Sequence, residues 1–171
     1  MDGMQLLEDL YARIGPTLRR GVEGVSDHAL TARLDPASNT IAWLAWHAAR
    51  GQDLQVSEAC EREQVWTAGA WDEKFALPFG PEDSGNGHTA DDVAAVRAPA
   101  ELLLGYVEDV QNESLDVLTG LADVDLETVV DRSWDPPVTL GARLVSIAVD
   151  SLEHAAQIDY LRGVLERTGR A

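Results

Sequence analysis

A single cysteine, Cys60, excludes an intrachain disulfide and any cysteine-built zinc cluster. Glu58, Glu61 and Glu63 surround it, and nearby carboxylates raise a thiol pKa, so Cys60 is expected to be inert. Basic residues are scarce: 13 against 30 acidic ones give a net charge of −17. So acidic a surface repels phosphate backbones and anionic lipid, which argues against nucleic-acid and membrane-surface roles. No apolar run approaches the roughly 18 residues of a membrane span. The start, Met1-Asp2-Gly3-Met4, lacks the basic and apolar stretches of a secretory leader, so the cytoplasm is the expected location. Period-two alternation is also missing; Thr128-Val129-Val130 is too short to suggest a sheet. Gly85-Asn86-Gly87 follows no strand and lacks a helix-opening glycine, and Gly-x-Ser-x-Gly does not occur. Phosphate-loop and serine-nucleophile chemistry are therefore without a motif.

What the chain does contain is helical periodicity. Its 171 residues, 45% hydrophobic with five tryptophans, suffice for one globular domain spanning 1–171. Four segments repeat apolar residues by threes and fours. The first, near 4–24, carries Leu7, Tyr11, Ile14, Leu18 and Val22, with Gly15-Pro16 expected to interrupt it. The second, near 37–61, starts after Asp35-Pro36 and turns Ile41, Leu44, Ala48 and Leu54 inward. The third, near 99–121, presents Leu103, Val107, Val110, Val117 and Leu121. The fourth, near 139–168, opens on Thr139 as N-cap and continues through Leu144, Ile147, Ile158 and Leu165. The stretch 62–97, rich in Gly and Pro, reads as an irregular insertion with one or two helical turns. The expectation is all-α: a single four-helix bundle with that insertion between its second and third helices.

His47 falls on the second helix and His154 on the fourth, with Asp150 one turn before it. Residues four apart share a helix face. His154 takes a place in the apolar stripe, so it and Asp150 are expected to point into the bundle, where a carboxylate is costly unless paired or ligating. Two imidazoles and one carboxylate on facing helices would make a three-ligand metal site with open positions, suited to zinc or nickel, with iron a further candidate. The competing interpretation makes them ordinary boundary residues: His154 bonded to Tyr106 or Tyr160, Asp150 paired with Arg143. Trp46, Trp66 and Trp71, with Trp43, are candidates to line a binding pocket near His47, although tryptophans at helical spacing more often build core. His88, on the Gly-rich loop, reads as a solvated histidine and His28 as a turn residue. Arg143 and Arg162 could meet an anionic ligand, but arginines in an acidic chain usually pair with its own carboxylates.

Four runs carry a resemblance to a known family. Trp43-Leu44-Ala45-Trp46-His47-Ala48-Ala49-Arg50-Gly51-Gln52-Asp53 resembles the second helix of the DinB-like superfamily. Trp134 to Ser146 is similar to the start of that family's last helix, and His154-Ala155-Ala156-Gln157 with Tyr160-Leu161-Arg162-Gly163 resembles its continuation. Gly85-Asn86-Gly87-His88-Thr89 resembles actinobacterial members. The likeness is strongest to the branch that includes mycothiol-dependent enzymes. It implies a DinB-like four-helix bundle, a homodimer, and a divalent metal held by one His on the second helix and a His-x-x-x-His pair on the last. His47 and His154 match; Asp150, a harder oxygen donor, stands where the broad family has histidine. The resemblance further implies mycothiol as cofactor and thiol-dependent S-transfer as activity, with an electrophilic substrate. A metal-dependent hydrolase and a non-enzymatic stress-related bundle with a vestigial site remain as alternatives.

Overall fold

The structure, a computed structural model, describes residues 2–121 and 126–171. In chain order the elements are α1 (Gly3–Tyr11), α2 (Ile14–Val22), α3 (Asp27–Leu30), α4 (Ile41–Cys60), α5 (Val65–Ala68), α6 (Trp71–Phe75), α7 (Ala90–Ala95), α8 (Ala100–Gly120), β1 (Val129–Asp131), β2 (Val138–Thr139) and α9 (Leu140–Arg167). The broken α1–α2 rod, α4, α8 and α9 form the four-helix bundle.

Local chemistry fixes the ends of these helices. Asp2 and Gln5 form a reciprocal capping box on α1. Thr40 and Thr139 accept from the amides of Trp43 and Ala142 and so cap α4 and α9. The second long helix therefore starts at Ile41, not near residue 37. Asp35-Pro36 instead forms a turn in which the Asp35 carboxylate accepts from the Ala37 amide. The first helix breaks at Ala12-Arg13, ahead of the expected Gly15-Pro16. Pro16 is the third residue of α2, where its missing N–H leaves no helical bond unmade. Where no sheet was expected, β1 pairs antiparallel with β2, Val129 opposite Thr139. This small hairpin leads directly into α9.

The bundle is filled as the stripes require. Tyr11, Ile14, Leu18, Val22, Ile41, Leu103, Leu144, Ile147 and Ile158 are buried, and Tyr11 donates its hydroxyl to the Leu144 carbonyl. On α4 the inward face uses Val56, while Leu54 is only partly buried. Gly21 lets α2 approach α9, since a Cβ there would stand 2.5 Å from Ile158 Cγ2. No described helix is long and apolar enough to cross a membrane.

The insertion is tied to α4 from within. Asp53, 3% exposed, accepts the amides of Val65 and Trp66 at 2.8 Å each and the Tyr106 hydroxyl at 2.8 Å. Arg50, fully buried, donates to the carbonyls of Pro81 (2.9 Å) and Asp83 (3.2 Å) and to Gln64, with Asp53 at 3.4 Å as counter-ion. Its guanidinium also lies over the Trp66 ring, 5.0 Å from the centroid. Every charged group in this cluster has partners, as burial demands.

Candidate metal centre

α4 and α9 pack against one another, and this pairing brings His47 to His154. The ring centroids lie 4.7 Å apart at 70°. Asp150 Oδ1 is 3.5 Å from His154 Nε2. One donor atom from each of His47, Asp150 and His154 can be chosen so that all lie within 4.8 Å of one another. Ligands of a tetrahedral ion held at ~2.1 Å stand about 3.4 Å apart. The triad is looser than that, and Asp150, 46% exposed, is its most exposed member.

The site lies at the half-buried edge of the α4–α9 contact, not in the core. The buried stripe of α9 runs through Ile147, Ser151, Ala155 and Ile158; His154 flanks it, with its side chain 15% exposed. The expectation that His154 and Asp150 point into the interior is corrected accordingly, and so is the argument that a core aspartate demands an ion. The simple pairings considered as alternatives are also not made. Tyr106 bonds Asp53, Tyr160 is 69% exposed, and Arg143 binds Asp131 at 2.8 Å. Arg162 is occupied by Glu166 and by the carbonyls of Arg20 and Glu23.

Around His47 the donor chemistry fits a cation. Its Nδ1 is bonded to the Ser84 carbonyl. A carbonyl only accepts, so Nδ1 carries the proton and Nε2 keeps a lone pair for a ligand. Metal-binding histidines are held in this way, by a backbone acceptor on the other nitrogen. Burial, and the charge of His154, lower the His47 pKa against the opposing pull of the Ser84 bond, which favours the neutral, ligating form. His154 is pushed the other way: the Asp150 hydrogen bond raises its pKa, and the same bond lowers that of Asp150. Its Nδ1 faces Gln157 Oε1 at 3.2 Å. A cation at His154 Nε2 would replace a proton there.

His88 is not solvated. Its side chain is 7% exposed and packed among Trp43, Trp46 and Phe79. Trp46 (1% exposed) and Trp66 (4%) are core residues that also line a cavity of about 270 Å3 with Leu77, Phe79 and Pro81. Trp71 is not among the residues lining this cavity: its Nε1 donates to Asp109 and its ring covers Gly105. His28 lies in the one-turn helix α3. Burial raises the Cys60 pKa, opposed by Arg62; desolvation, not the neighbouring carboxylates, is the cause. Sequence reasoning passed over Arg50, Asp53 and Ser84. The signal for the first two was there: an oppositely charged i,i+3 pair in the middle of a long helix whose first turns are nearly all apolar.

The profile of the mycothiol-S-transferase family matches residues 6–167. The chain belongs to the mycothiol-S-transferase family. Among solved structures it is similar to the conserved protein of locus from Enterococcus faecalis, at 30% identity and a TM-score of 0.81. That likeness covers 95% of this chain and 96% of the other. No curated protein matches. The family membership and the solved relative agree with the four-helix, DinB-like architecture described above.

Proposed function

We propose that the protein is a metal-dependent S-transferase that uses mycothiol. One observation carries the reading: in a chain of this family, His47, Asp150 and His154 from two different helices converge to within ligating reach. A divalent ion bound there would supply Lewis acidity that lowers the pKa of a thiol at its open position. The reaction class is replacement of a leaving group on an electrophilic carbon by the mycothiol sulfur.

The roles of the chain's own residues follow from their surroundings. His47 is a nitrogen donor kept neutral by burial and oriented by Ser84. His154 is the second nitrogen donor and Asp150 the oxygen donor. The half-exposed Asp150 marks the side from which a thiol arrives, whereas Trp43, stacked on His47 at 4.5 Å, closes the other. Trp46 and Trp66 are proposed to line the wall against which the electrophile packs. Trp71 has no place in that wall. The homodimer belongs to the same proposal, supported by Val145 and Val149, apolar and exposed on the outer face of α9.

The test combines metal analysis of untagged protein with conjugation assays using mycothiol and a panel of electrophiles. Metal-loaded wild type should conjugate. His154→Ala should lose both metal and turnover while far-ultraviolet circular dichroism stays helical. Full turnover by the metal-free variant would remove the metal from the reaction. Hydrolysis that proceeds without a thiol would replace S-transfer by metal-activated water.

A further inference from the structure

The loop that carries Ser84 is itself held in place: Arg50 grips its backbone at Pro81 and Asp83, and His88 ties it to the His47 ring. Two contacts fix the His47 ring: the Ser84 carbonyl on Nδ1 and the face of Trp43, nearly parallel at 16°. His88 reaches both. Its Nδ1 accepts from the Trp43 indole N–H at 3.1 Å. Its Nε2 lies 3.0 Å from Asp83 Oδ1. That same Oδ1 accepts the Gly85 amide at 2.7 Å, and so folds the turn whose middle residue, Ser84, faces His47. An indole nitrogen only donates and a carboxylate only accepts. The two partners therefore prescribe one tautomer of His88, with the proton on Nε2.

Between these anchors the chain leaves no slack. Gly85 has φ +95°, and a Cβ on it would stand 2.9 Å from His47 Nδ1, 3.0 Å from Trp46 and 3.1 Å from Trp43. The His88 ring is stacked on Trp46 at 5.8 Å and lies 4.5 Å from Phe79. Nothing in the proposed reaction uses His88, and a loop histidine with both nitrogens committed needs another explanation than solvent contact.

We propose that His88 is a positioning residue for the metal centre: through Trp43 and Asp83 it clamps the His47 ring and fixes its tautomer, so that Nε2 is presented to the cation. This rests on the metal reading above, but its clamp can be read without any metal.

Three variants separate the parts. His88→Phe keeps ring volume and loses both bonds. His88→Asn places an acceptor near the Nδ1 position, for Trp43. His88→Gln places a donor near the Nε2 position, for Asp83. In chelated protein, nitrogen-15 spectra of the imidazoles should show wild-type His47 as the single Nδ1–H tautomer and His88→Phe with a mixture. Titration with zinc should give His88→Phe an affinity lower by about 10–100-fold, the usual effect of removing a group that orients a ligand. The Asn and Gln variants should fall in between, each keeping one arm. His47 remaining fixed as Nδ1–H in folded His88→Phe overturns the proposal, whether or not zinc binds. Should His88→Phe fail to fold, wild-type tautomer and affinity in both Asn and Gln overturn it instead. Absence of zinc or cobalt uptake by wild type overturns the metal reading and leaves the clamp to the spectra.

Discussion

At the scale of single residues the centre is built from opposed electrostatic demands. Burial keeps His47 neutral, while the Asp150 hydrogen bond favours a charged His154. The second effect predicts a pH signature in chelated protein. A histidine whose folded-state pKa is raised contributes stability that is fully present below its unfolded value, about 6.5. That contribution is lost as the pH rises through the folded value. The stability gap between wild type and His154→Gln in urea should therefore be widest in mild acid and shrink toward alkaline pH. A gap constant across that range would show that Asp150 holds no proton on His154. Asp150 offers a second prediction. Asp150→His should tighten zinc or nickel binding by about an order of magnitude, because imidazole suits these ions better than a carboxylate does. Calorimetric titration of both proteins checks it, and equal or weaker affinity would take Asp150 out of the ligand set.

At the scale of elements, the Asp83–His88 turn is as much a part of the centre as α4 and α9. Gly85→Ala would force a Cβ into a left-handed position already closed by His47, Trp46 and Trp43. A loss of about 1–3 kcal/mol is expected in denaturant melts, with weaker zinc uptake beside it. This turn also shows where sequence reasoning stopped. α8 and α9 were legible almost to the residue, because their stripes are long and their starts carry Pro99 and Thr139. The meeting of His47, Asp150 and His154 was legible from two helix faces and the family likeness. Their depth was not, because a stripe two residues wide blurs into its flank, and only packing against α4 decides which side of Ile147–Ser151–Ala155 is inside. His88 was illegible for a related reason. A segment of Gly, Asn and Thr has the composition of a solvated loop, and the aromatic residues that bury it lie 9 to 45 positions away.

At the scale of the whole molecule, the Arg50–Asp53–Tyr106 cluster joins α4, α8 and the insertion. Asp53→Ala would leave the Arg50 guanidinium buried without its counter-ion and would orphan the amides of Val65 and Trp66. The expected cost is about 3–5 kcal/mol, as for the breaking of other buried ion pairs. Limited proteolysis should then cut first within 62–97. An uncut insertion with near-wild-type stability would mean that Arg50 is solvated by water where Asp53 now stands. The reach of this cluster extends to the candidate metal centre, since Arg50 also grips the carbonyl of Asp83, one residue before the carbonyl that orients His47.

His47 and His154 belong to two helices far apart along the chain, and only their docking makes them neighbours. An ion that requires both has no equivalent seat in the unfolded polypeptide. Its binding energy thus counts entirely toward the native state, by mass action: free ion at a hundred times its dissociation constant adds about 2.7 kcal/mol to the folding free energy. With an ion seated as proposed, the protein's resistance to unfolding would become a readout of the free ion concentration around it, and chelators and metal supply would set its lifetime.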